Sequence, residues 1–264
     1  MLTVSPMSNV TLRCCRWSHR PRYPLRVAIK DKLRLLIKAG RDKEASDLLP
    51  HVDDSPPSQP GRWTAKDNLA HMTAWRLHAA AELDAVRTGG AGPVVSADIN
   101  EHNTKVYEAA REKPAALVID AGGRSWESLG AALEACSEED LLKPRTRRPE
   151  QPLWQVIPGN TYFHVTEHLG YWHTERGDNA AAEDAARWGH ELASTTFTED
   201  RSRGTADYNL GCFYAARGRA EEAIPYLRSG IKLNPSLRDW AKEDTDLDPI
   251  RSRPELTRLL AEFS

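Results

Sequence analysis

Apolar side chains recur three or four positions apart along most of this chain, and alternating apolar–polar runs are nearly absent. This pattern predicts helices separated by breaks rich in Pro, Gly and Ser. Leu25, Val27, Ile29, Leu33, Leu35, Leu36 and Ile37, followed by Ala45 to Leu49, mark one amphipathic helix, or two short ones divided near Gly40. DDSPPSQPGR (53–62) reads as a loop on composition alone. In the segment that follows, Thr64 and Asp67 have the spacing of a capping box, with Asp where Glu or Gln is usual. Leu69, Met72, Trp75, Leu77, Leu83 and Val86 keep the helical period, and Gly89–Gly90 stop it. SADIN opens a long helix over 98–112 that continues past Pro114 to 135. Residues 137–152 are a polar connection, and a last helix of this group spans 158–176 and ends at Gly177. Four helices with long connections predict an all-α fold, with a four-helix bundle over 26–176 containing at least one crossover.

After ERGD (175–178) the pattern changes. An alanine-rich stretch over 179–196 predicts one helix, and residues 206–235 have the spacing of a tetratricopeptide repeat (TPR). With Gly204 at position one, Leu210, Gly211 and Tyr214 fill the L-G-x-x-Y slots of the first helix. Ala223 and Leu227 fill the small and large slots of the second, and Pro235 the terminal slot. Asp207 stands where an aromatic residue is usual, and Gly230 where alanine is usual. Residues 236–260 resemble the closing helix and tail that follow a last repeat. So short an array cannot bury its own faces as a free solenoid. The 177–264 extension is therefore expected to pack on the bundle, through Trp188, Leu192, Phe213 and Leu227.

Composition narrows the function classes. Lys and Arg total 36 against 38 Asp and Glu, a net charge of −2, so no broad basic field exists to hold nucleic acid. No apolar run approaches the roughly 18–20 residues that a membrane span needs. Residues 1–25 are basic and rich in Pro and Arg, without period and without the apolar centre of a secretory signal, and read as a disordered tail. Cys14, Cys15, Cys136 and Cys212 make neither a disulfide framework nor a CxxC pair, which fits a reducing, cytoplasmic setting. Cys136 lies beside an acidic turn that would raise its thiol pKa, so it is expected to be inert. There is no G-x-S-x-G elbow.

The candidate chemistry lies in HVTEHLGYWH (164–173). On a helix, residues four apart differ in direction by about 40° and in height by about 6 Å. His164 and His168 therefore share a face at a spacing that lets two imidazoles hold one zinc-sized ion. Tyr171 returns to the His164 face, Glu167 flanks the pair, and His173 points away. A third ligand must come from elsewhere. His71 lies on the apolar stripe of its helix, while His78 is two turns, about 10.5 Å, further along and cannot join it. Incidental polar positions on a helix, and a hydrogen-bonded core histidine at His71, remain the alternative. Trp63, Trp75, Trp126, Trp154 and Trp172 are expected in the core or in a pocket wall.

Taken in order, DNLAHMTAW, DINEHN…VYEAAREKP…SWESLGAALEACSEEDL and GNTYFHVTEHLGYW resemble the DinB-like superfamily of four-helix metal proteins. The likeness is greatest to its ClbS/DfsB and maleylpyruvate-isomerase N-terminal-like groups, over residues 26–176. The resemblance implies a three-histidine site for a divalent metal, zinc or nickel, at His71, His164 and His168, with the remaining coordination places open to water or substrate. It places Asn100 and Asn103 at the pocket mouth, although Asp98 or Asn100 can equally serve as a helix cap. It also implies a small electrophilic substrate and, in some members, a low-molecular-weight thiol cofactor for transferase, isomerase or hydrolase chemistry. The competing expectation is a scaffold that binds a protein partner, or a second copy of itself, through the TPR-like segment.

Overall fold

The computed structural model describes residues 28–53, 62–95 and 98–262. The tail over 1–25, with Cys14 and Cys15, and most of the 53–62 connection lie outside the described residues. Among the described residues the protein is all-helical, with twelve α-helices and no strand. No helix is long and apolar enough to cross a membrane. The chain divides into two compact units, 1–182 and 183–264, and the division falls inside one continuous helix, α8 (Asn179–Thr196).

In the first unit, α1 is Ile29–Asp47, α2 Ala65–Thr88, α3 Ile99–Arg111, α4 Ala115–Ala135, α5 Glu138–Leu142, α6 Val156–Asn160 and α7 Tyr162–Glu175. Helix α2 packs on α4, α3 and α7, and α1 packs on α4 and α7. The start of α2 is the capping box expected from Thr64 and Asp67. The Thr64 hydroxyl accepts from the Asp67 backbone N–H, and the Asp67 carboxylate accepts from that of Thr64. Gly89 closes the helix in the left-handed conformation at φ 71°.

Of the two alternatives for the first helix the structure shows the single one, and two later boundaries differ from the expectation. Helix α1 runs unbroken through Gly40, because Gly40 is a packing position. A Cβ there would lie 3.0 Å from the Trp126 ring and 3.2 Å from the Tyr162 backbone nitrogen. The long helix expected over 98–135 is two helices. Pro114 has no N–H to give and caps α4 with ψ 142°, so the chain turns between α3 and α4. The helix expected over 158–176 is interrupted at Thr161, whose backbone (φ −124°, ψ −111°) is not helical and whose hydroxyl donates to the Ile157 carbonyl at 2.8 Å. Pro158 falls in the first turn of α6, where a missing N–H costs nothing.

A buried ion pair lies in this unit's core. Arg76 on α2 donates to Glu44 on α1 at 2.6 and 3.2 Å and to the Ser125 hydroxyl on α4 at 2.8 Å. The Trp126 indole N–H also donates to Glu44, at 2.8 Å, and the guanidinium stands 4.2 Å from the centre of a Trp126 ring. The polar connection after α5 is anchored in the same manner: Arg145 donates to Glu82 of α2 at 2.9 and 3.1 Å and to Gln151 at 3.0 Å.

In the second unit, α9 (Asp200–Ala215) and α10 (Ala220–Leu233) form a tight antiparallel hairpin. Gly230 is required by that closeness, since a Cβ there would lie 2.8 Å from the Tyr208 Cβ and 2.9 Å from the Gly204 carbonyl oxygen. Asp207, noted above as a departure from the repeat pattern, accepts from Ser229 at 2.6 Å and pairs with His190 at 2.7 Å. Leu210, Tyr214, Ala223 and Leu227 are all buried in this unit's own core, which α11 (Leu237–Ala241) and α12 (Pro254–Glu262) complete. Leu227 packs into the space left by Gly211.

Candidate metal centre

The spacing of α7 places His164, Val165, His168, Leu169 and Trp172 on its buried side, and α2 buries His71, Met72, Trp75 and Arg76. Where the two helices meet, His71, His164 and His168 come together. One ring nitrogen from each lies within 4.8 Å of the other two, and all three side chains are buried. The Nε2 atoms of His71 and His164 are 3.1 Å apart. Two nitrogens bonded tetrahedrally to one zinc at about 2.1 Å would be separated by about 3.4 Å, so this pair is close to ligand spacing. The ring centres of His168 lie 4.7 Å from His71 and 4.6 Å from His164. Three histidines make up this cluster among the described residues.

The donor set suits a borderline transition metal. Imidazole binds as the neutral base, and burial favours that form. Burial pushes the His71 pKa well below the ordinary histidine range, with smaller contributions from His168 and His102. Burial does the same to His164, assisted by His168, His71 and Arg76, and takes His168 down to about 3. The metal-free protein should therefore be acid-sensitive. Its unfolded chain takes up protons below about pH 6.5, whereas the folded histidines resist them. The stability due to neutral burial is complete above that pH and is lost as the pH falls toward the folded values, at roughly 1.4 kcal/mol per pH unit for each histidine. Urea midpoints of chelator-stripped protein between pH 7 and 4 should show this slope, and His168→Gln should reduce it by one histidine's share. An unchanged slope would refute the assignment.

Aromatic rings wall the cluster. Trp63 stacks on His168 with ring centres 5.8 Å apart and lies 4.9 Å from His71, with Tyr107 stacked on it at 6.3 Å. Trp75 is 6.3 Å from His71 and its indole donates to Asn103 at 3.1 Å. All five tryptophans singled out above are buried. His78 and His102 contact Trp75, with ring centres at 5.4 and 5.1 Å, and are not members of the cluster. Asp98 caps α3 by accepting from the Asn100 N–H at 2.8 Å. Asn100 is half-buried, Asn103 is buried against Trp75, and Glu167 and Tyr171 are half-buried on α7. His173 does not join the cluster; its Nδ1 lies 3.8 Å from Asp178. Cys136 is buried and its thiol pKa is raised, first by burial and then by Asp140, as suits an inert residue.

Asn68 was not singled out from the sequence. It is fully buried, and its carboxamide oxygen lies 2.6 Å from His168 Nδ1. Its position one turn before Met72 on the buried face of α2 is the signal that could have found it, since a buried amide needs polar partners.

Fold and site define an all-helical protein with a buried three-histidine group that could hold a metal ion. No family model matches the chain, and no curated protein or solved structure matches it.

Proposed function

We propose that the first unit is a DinB-type four-helix bundle that binds one divalent metal, zinc or nickel, through His71, His164 and His168. We further propose that this site promotes reaction of a small electrophile, as thiol transfer, isomerisation or hydrolysis. The observation carrying this reading is the convergence of three buried imidazoles from two helices distant in sequence. A scaffold needs no such convergence. A metal bound there would supply Lewis acidity and lower the pKa of a thiol brought to it. The chain's own part is to hold the ion and to limit water around it with Trp63 and Trp75. Asn100 and Asn103 are assigned to the recognition of a polar substrate, and Glu167 and Tyr171 to the surroundings of the α7 ligands. The inert setting of Cys136 favours a low-molecular-weight thiol over a protein thiol as nucleophile.

A second reading, a scaffold that recruits a protein partner through a TPR-like second unit, is favoured by the glycine-packed α9–α10 hairpin with Leu210, Gly211 and Tyr214 in their slots. Consumption of glutathione with a chromogenic haloarene separates the two. On the metal reading, the enzymic rate falls to background with chelator and in His168→Ala. A rate indifferent to both would move the assignment to the scaffold.

A further inference from the structure

We propose that Asn68 is the positioning residue of the histidine cluster: it sets the tautomer of His168, so that the Nε2 lone pair is the one offered to a metal. This inference rests on the metal reading above. The amide's orientation is determined at its other end. Asn68 Nδ2 lies 2.8 Å from the Thr64 carbonyl oxygen, which only accepts, so that end of the amide is the NH₂. Oδ1 therefore faces His168 Nδ1, at 2.6 Å. A carboxamide oxygen also only accepts, so Nδ1 carries the proton of the neutral ring and Nε2 is left as the base. The Thr64 carbonyl is itself held in place, because Thr64 is the N-cap of α2 and its hydroxyl and N–H are both tied to Asp67. A backbone cap thus orients an amide, and the amide selects a tautomer. Asn68 is 0% exposed, so bulk water does not reach the amide to take its place.

The other two histidines lack this control. Their Nε2 atoms face each other at 3.1 Å, and their Nδ1 atoms are buried without a hydrogen bond among the described residues. As a neutral pair they place one N–H between the two Nε2 atoms. For both to turn lone pairs to a cation, that proton must pass to Nδ1 of the same ring. His168 is therefore the arm fixed in ligand form by a partner, and whichever of His71 and His164 donates in that contact is the arm that must change.

The test uses the full chain, ¹⁵N-labelled and stripped of metal, as wild type, Asn68→Leu and Asn68→Asp. Leucine keeps the size and removes the acceptor, whereas aspartate keeps an acceptor for Nδ1. Long-range ¹H–¹⁵N spectra should report the Nδ1–H form of His168 in wild type and Asn68→Asp, and a shift toward Nε2–H in Asn68→Leu. Zinc affinity by chelator competition should weaken about 10–100-fold in Asn68→Leu, the usual cost of losing a ligand's outer partner, and be restored in Asn68→Asp. An unchanged His168 tautomer in a folded Asn68→Leu, or loss of zinc affinity without a tautomer change, would overturn the inference. A wild-type chain that takes up no zinc would instead overturn the metal reading, and the spectra of the metal-free chain would still decide whether Asn68 controls His168.

Discussion

Replacing His164 with alanine is expected to reduce bound metal from about one equivalent to near zero in protein purified without a histidine tag. His164 stands against both partners: its Nε2 is in hydrogen-bond reach of His71, at 3.1 Å from that ring's Nε2, and its ring centre is 4.6 Å from that of His168. Removing it leaves two imidazoles from different helices and no third donor in the cluster. Loss of an outer partner to a ligand already costs about 10–100-fold in affinity, so loss of the ligand should exceed about 100-fold. Elemental analysis of wild type and variant, with circular dichroism to confirm equal helicity, measures this. Equal metal content in the two proteins would refute the assignment of His164. Three neutral imidazoles suit zinc, nickel, copper or iron in preference to magnesium or calcium, so the metals recovered also test the donor chemistry.

The second large effect is on stability. Arg76→Met should destabilise the protein by about 3–5 kcal/mol, because it leaves the Glu44 carboxylate buried with its compensating charge gone. Glu44 and Arg76 are both almost fully buried, and only the Trp126 N–H would remain among the donors described above. The double variant Glu44→Met/Arg76→Met should recover most of that loss, since a buried pair replaced by packed apolar side chains is often neutral or better. Urea unfolding of the three proteins decides it. A double variant as unstable as the single would mean that lost packing on Trp126, and not an uncompensated charge, sets the cost. The pair also bears on the cluster. The Arg76 charge opposes protonation of His164, and Glu44 offsets a guanidinium that would otherwise oppose a cation there.

The helical character of this protein, the cap and stop of α2, and the shared face of His164 and His168 could all be read from the chain. Each depends on the 3.6-residue period or on side chains within one turn, and such short-range geometry is written in spacing. The helix–turn–helix of α9 and α10 was legible for the same reason, whereas Gly230 stood out as a departure whose need is visible only in its close approach to Tyr208 and Gly204. The breaks were less legible. Gly40 looked like an interruption because glycine weakens a helix, but its missing side chain is what admits Trp126 and the start of α7. The break at Thr161 follows Pro158, Gly159 and Asn160, turn-forming residues that the 3.6-residue period of the flanking apolar positions masked.

The cluster itself was decided by tertiary structure. His71 is separated from His164 by 93 positions, and its place on an apolar stripe suited a core histidine as well as a ligand. Only the packing of α7 on α2 brings its Nε2 to that of His164. The same packing carries Asn68 to His168 across 100 positions; the local sequence marks Asn68 as a buried amide but not the partner it meets. Local period determines which side chains share a face, but burial, neutral imidazoles and a selected tautomer arise only when two such faces close on each other and exclude water.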